Sequence, residues 1–215
     1  MSKPPLRVQH WLLFALLAGL FFAWGAWLMR GPQAPTPLPW LADWQTRVLQ
    51  PLVEERLSLA ALSAQVEGEL WLQPQPAEQG ARLLYRGPVS GEEGLWQVQA
   101  EVQLSSAERA SLVKAVGLTR EEQPLSAQMV GQLARQPIES VAFTAPPSVP
   151  AERVAATLGQ PRLRLPLPEG EAWVYPQWGL TVRVQDDVVL TLHAVPKRAI
   201  RVCPSSPVTI AVAAG

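Results

Sequence analysis

Hydrophobic and polar positions repeat with different periods along the chain, and each change of period marks a new element. Residues Trp11 to Met29 carry no charged side chain at all. At about 1.5 Å per residue, such a run approaches the ~30 Å hydrocarbon thickness of a bilayer. Trp11 at one end and Trp24 and Trp27 near the other sit where interfacial aromatics are favoured. Lys3 and Arg7 precede the run and Arg30 follows it, so the short N-terminal side reads as cytoplasmic. Residues 1–30 therefore read as a cytoplasmic tip and a single inner-membrane anchor spanning 11–29, with the bulk of the chain in the periplasm. A cleavable signal peptide competes with this reading, because Ala23-Trp24-Gly25 loosely matches a small-x-small cleavage site.

The stretch "RGPQAPTPLPW" is proline-rich and reads as a stiff spacer. Leu41, Trp44, Val48 and Leu49 then recur at helical spacing until Pro51, and a second helical stretch covers Leu52 to Leu62. This pair either packs on the soluble part or lies along the membrane, and the two elements complete a linker region, 31–63.

From Gln65 the period drops to two. "VEGELWL", "ARLLYRG" and "LWQVQAEVQL" alternate apolar and polar residues, as strands with one buried face do. "PQPAEQG" and "GPVSGEEG" read as the turns between them. Ser105 and Glu108 have the spacing of a capping box that opens a helix ending at Gly117. A second helix, about Ser126 to Gln136, precedes a strand "IESVAFTA". Residues 64–147 are thus expected to form an α+β module of order β-β-β-α-α-β.

Residues 148–200 begin with the helix "AERVAATLGQP", stopped by Gly159 and Pro161. "EGEAWVYP" reads as a strand with Trp173 and Tyr175 on one face. Leu180, Val182 and Val184 alternate, as do Val188, Leu190 and Leu192. A two-residue turn at Asp186-Asp187 sets Arg183 opposite Leu190 and mixes polar with apolar on one face. A three-residue loop, Gln185 to Asp187, pairs Val182 with Leu190 and keeps the faces clean, so the pattern predicts the longer loop. The expectation is a small α-β-β-β module, followed by a tail at 201–215 with the apolar run "VTIAVAAG".

"SVPAERVAATLGQP", then "EAWVYP", then "GLTVRVQDDVVLTLH" resembles the SmpA/OmlA (BamE-like) domain over about Val149 to Val195. That family has a helix ending in a Leu-Gly-x-Pro turn, a strand with a Trp-x-Tyr or Trp-Tyr signature and an acidic last hairpin. The resemblance implies a helix-and-sheet module acting by protein contact in the bacterial envelope, as an accessory to outer-membrane assembly. Some relatives of similar fold are protein inhibitors. Two departures stand out: no lipidation cysteine follows the apolar run, and one helix stands where the family has a helical hairpin.

Composition narrows the chemistry. Eighteen basic and 18 acidic residues give zero formal net charge, with acids in excess between Gln65 and Thr144 and arginines in excess after Ser148. No basic run interleaved with aromatics points to nucleic acid. Cys203 is the one cysteine, which excludes an internal disulfide. The two histidines, His10 and His193, lie far apart, and no G-x-S-x-G elbow is present. Glu169 and Glu171 flank Gly170, and Glu92-Glu93 lie in a loop; paired carboxylates of this kind serve glycan hydrolysis only when a cleft holds them face to face. The expectations are no catalysis, no metal, no small-molecule cofactor and an envelope protein as partner. A glycan-active hydrolase and an inhibitor-like module are the alternatives. The candidate contact residues are Trp173, Tyr175 and Trp178, framed by Arg162, Arg164 and Arg183. Trp173 and Tyr175 also suit the core under their own helix, and Trp178 is expected to be the exposed member.

Overall fold

A computed structural model describes residues 8–29, 35–75, 80–117 and 121–200. Lys3, Arg7, Arg30, Cys203, the run "VTIAVAAG" and part of the turn after Gln75 lie outside them. The chain divides into two compact units, Met1–Pro35 and Thr36–Gly215.

The first unit contains α1 (Val8–Leu28). Its segment Trp11–Leu28 has a mean hydropathy of 1.9 and is long and apolar enough to cross a membrane.

The second unit is α+β: one antiparallel sheet with helices packed on it. It opens with a continuous helical stretch, α2 (Pro39–Trp44), a π-helical turn (Gln45–Leu49) and α3 (Gln50–Val53). The sequence pattern breaks the helix at Pro51, whereas the helix runs through it. A proline lacks the N–H for the ladder and its ring crowds the carbonyl four residues earlier. The wider π turn immediately before it relieves both conflicts. α4 (Leu59–Ser63) follows, with the Ser58 hydroxyl accepting from the Ala61 N–H. Leu41, Val48, Leu49, Leu52, Leu59 and Leu62 are all fully buried. Residues 39–63 are therefore part of the core rather than a linker.

Among the described residues nine strands follow: β1 (Glu69–Gln75), β2 (Gly80–Gly91), β3 (Gly94–Val102), β4 (Gln123–Pro124), β5 (Ile138–Thr144), β6 (Leu163–Pro166), β7 (Glu171–Tyr175), β8 (Leu180–Gln185) and β9 (Val188–Ala194). α5 (Ser106–Val116) opens with the Ser105–Glu108 capping box, and α6 (Ala127–Gln132) and α7 (Ala151–Leu158) are the remaining α-helices among the described residues. β4 and β6 fall in segments to which the sequence pattern assigns no element. β2 also runs past "ARLLYRG" into the expected turn. Its Pro88 pairs with Gln97 beyond the last residue matched to β1, so no neighbour on that side needs an N–H there.

The sheet order is β4-β1-β2-β3-β5-β9-β8-β7-β6. Pairing of β5 with β9, Phe143 opposite Leu192 and Val141 opposite Ala194, joins the two expected modules edge to edge. One hydrophobic cluster runs through both, from Leu41 and Leu70 to Trp96, Phe143, Val154 and Val182. The residues that alternate with this cluster, such as Gln97, Gln99, Thr144, His193 and Arg183, are exposed on the opposite face. Helices thus cover one face of the sheet.

The β8–β9 hairpin corrects the predicted register. Asp186 and Asp187 both have positive φ, 50° and 60°, and form a two-residue turn between Gln185 and Val188. Val184 pairs with Val189 and Arg183 with Thr191, so Leu190 is the extra residue of a β-bulge. Its carbonyl accepts from the Ala145 N–H at 3.0 Å. Beyond the bulge Val182 faces Leu192 and Leu180 faces Ala194. A tight turn followed by a bulge keeps the apolar face intact, a solution that plain alternation does not contain.

Candidate functional site

The six candidate contact residues all lie on or beside β6, β7 and β8, and the fold separates them. α7 ends at Gly159 (φ 87°), and the chain turns into β6, which pairs Leu163 with Val174, Arg164 with Trp173 and Leu165 with Ala172. The turn into β7 closes through the Leu167 N–H donating to the Gly170 carbonyl at 3.0 Å. Gly170 sits at φ +85°, and a Cβ there would lie 2.1 Å from the Val184 carbonyl oxygen. Glycine is required at this position both for conformation and for space.

The three aromatics point inward. Trp173 is 5 % exposed, and its indole N–H donates to Glu171 Oε2 at 2.9 Å. Tyr175 is fully buried, and burial pushes its phenol up to about 12 despite the nearby charge of Arg164. Trp178, expected to be exposed, packs half-buried against the core with its indole nitrogen shielded from solvent. Pro176–Trp178 form a 3-10 turn that ends at Gly179 in the left-handed region, and this folds the Trp178 ring back onto the body.

The three arginines are exposed but do not frame Trp178 as one patch. Arg164 lies with its guanidinium carbon 4.3 Å from the Trp173 ring centroid, a cation–π contact. Arg162 donates its backbone N–H to the Val174 carbonyl at 3.0 Å. Arg183 is opposite Ala172, on the other face of the sheet from Trp173, and meets Glu169 at 3.6 Å.

The carboxylate pairs are also taken up separately. Glu171 turns to Trp173 and Glu169 to Arg183, so the two acids around Gly170 do not converge. Glu93 is almost fully buried beside Arg153, 2.5 Å from its Nη1, while Nη2 reaches Glu92 at 3.5 Å. Arg153 also donates to the carbonyls of Thr36 (2.9 Å) and Pro37 (3.2 Å), tying α7, the β2–β3 turn and the start of the unit together. His193 is exposed, and crowding by the neighbouring strands holds its pKa below the ordinary value. Among the described residues no group of three or more His, Cys, Asp or Glu gathers at metal-binding distance.

Sequence reasoning missed β6 itself. Its signal was present: Leu163 and Leu165 alternate with Arg162 and Arg164, a strand period bracketed by Pro161 and Pro166. Leu163, Leu165 and Leu167 are 50 %, 43 % and 37 % exposed. Outside α1 and Met29 they are three of the five large hydrophobics exposed among the described residues; the others are Leu95 and Val116. β6 also ends the sheet, so its outer side has no strand neighbour among the described residues. An unpaired edge with exposed leucines is an arrangement that can accept another chain. No protein-family model, no curated protein and no solved structure matches this chain.

Proposed function

We propose that this chain is a membrane-tethered binding protein of the bacterial cell envelope, with its second unit in the periplasm and acting by protein–protein contact. The observation that carries this reading is the β6 edge, where exposed leucines concentrate on a strand with a free side. An apolar helix of membrane-spanning length supports the tether. The likeness of residues 149–195 to the SmpA/OmlA (BamE-like) pattern supports the envelope setting. Against the glycan-hydrolase alternative, Glu93 sits beside Arg153, while Glu171 accepts from Trp173 and Glu169 lies 3.6 Å from Arg183, so the acids around Gly170 do not face each other.

The test is site-specific photo-crosslinking in living Gram-negative cells, using the full-length chain with a photoreactive residue at position 165 or, as a control, at position 99. A protein adduct formed from position 165 but not from position 99 is expected. If neither position yields a protein adduct, the binding reading fails. A periplasmic reporter fused after Ile200 is expected to be active, and an inactive reporter overturns the orientation.

A further inference from the structure

Resting on the protein-binding reading, we propose that the β6 edge takes one extended peptide as a tenth strand, and that this peptide carries acidic residues between apolar ones.

The backbone defines what the edge offers. Because the Leu167 N–H bonds to Gly170 across the β6–β7 turn, the alternation of an antiparallel ladder commits Leu163 and Leu165 to β7. The N–H and C=O of Arg164 therefore face outward, as does the C=O of Pro166, which has no N–H to give. A peptide adding here finds one donor and at least two acceptors, so main-chain bonds set its position while side chains set its identity.

The side chains differ on the two faces. Leu163 and Leu165 share a face with Val174 and Ala172, and an incoming strand extends this apolar strip. On the opposite face Arg164 is held in place over Trp173. Neither Arg162 nor Arg164 has an ion-pair partner among the described residues, and Glu171, the acid of β7 on the Arg164 face, already accepts from Trp173. An Asp or Glu beside Arg164 supplies the missing charge.

Other occupants fit less well. Two copies of β6 paired antiparallel about Arg164 set like charges directly opposite each other, which destabilises a strand pair. Pairing about Leu165 instead sets Arg164 against Pro166, which cannot donate the returning bond. The chain's own apolar run at 208–213 contains no acidic residue.

The test uses the full-length chain in non-ionic detergent and labelled peptides read by fluorescence anisotropy: an alternating Glu–Val peptide, its Lys–Val analogue, and the Glu–Val peptide with alternate backbone amides methylated. The Glu–Val peptide is expected to bind, more weakly as salt rises, and the two control peptides at least about tenfold more weakly. Arg164→Gln keeps the stem over Trp173 and is expected to weaken Glu–Val binding by about threefold. Arg162→Glu is expected to weaken it by about tenfold and to improve Lys–Val binding. Circular dichroism checks that each variant is folded. Equal binding of the Glu and Lys peptides, indifference to both arginine variants, or a dimer dissolved by Leu165→Arg overturns the proposal. If no peptide binds while position 165 still crosslinks to a protein in cells, this proposal fails and the broader binding reading stands; if both fail, both are wrong.

Discussion

At one side of the sheet, β4 lays Gln123 and Pro124 against Leu72 and Trp71, and the Leu125 N–H adds a bond to the Leu70 carbonyl at 2.8 Å. Glu122, just before β4, receives Arg86 Nη1 at 2.5 Å and Nη2 at 3.1 Å, and also the Gln73 amide. Arg86 in turn lies 5.8 Å from the Trp71 ring centroid. The chain closes this edge with its own residues, and Pro124 stops further pairing. At the other side, β6 is likewise antiparallel to its one neighbour and has a similar arginine–tryptophan contact, but no segment among the described residues covers it. One edge is thus completed within the fold. The other keeps its leucines and two cations for something else.

That contrast can be broken from either side. The largest expected effect is at the closed edge: Leu72→Ala removes a side chain that is 1 % exposed, and a loss of about 2–5 kcal/mol is expected in denaturant unfolding. The matching Leu165→Ala at the open edge is expected to stay within about 0.5 kcal/mol of the parent, because its leucine is 43 % exposed. Equal losses at both positions mean that β6 is structural after all.

Gly170→Ala comes next. A Cβ cannot sit 2.1 Å from the Val184 carbonyl, so the β6–β7 turn must move, at a cost of about 1–3 kcal/mol. Hydrogen exchange is expected to rise in Leu163 to Leu167 and to stay unchanged in β1.

A smaller change is expected for Arg164→Ala. Loss of an exposed cation–π contact lowers stability by about 0.5–1 kcal/mol in a thermal melt.

The smallest effect is a pH response at the closed edge. Hydrogen bonding from Arg86 holds the Glu122 carboxyl below the usual carboxylate range. A depressed folded-state pKa gives a stabilising contribution that is fully present above the unfolded value and is lost as pH falls through the folded one. Protection of the amides flanking Glu122, taken relative to the intrinsic exchange rate at each pH, is therefore expected to fall on acidification below the ordinary carboxylate range, and Glu122→Gln is expected to abolish that fall.

Much of the fold could be read locally. Alternation in Leu70 and Leu72 and from Trp96 to Val102 marked strands, and Ser105 with Glu108 marked a helix start, because backbone period and capping depend on near neighbours. The β8–β9 register could not be read this way. The two-residue turn suits Asp186 and Asp187, but it gives clean faces only if Leu190 bulges out, and the Leu190 carbonyl is bonded to Ala145 on another part of the chain. Trp178 was misplaced for a similar reason: proline and glycine neighbours suggest a loop, yet the loop folds its ring against the core. The short β6 was hidden between two prolines.

Local order was enough to mark an uncharged helix of membrane-spanning length, an α+β composition and most strand positions, since these depend on hydrophobic period over a few residues. Long-range packing made a single sheet of what looked like two modules, through β5 and β9, and drew the helices at 39–63 into its core. It also turned the three aromatics inward and left the leucines and arginines of β6 at a free edge. Which strand stands last in a sheet depends on partners far away in sequence, and no local pattern carries that information.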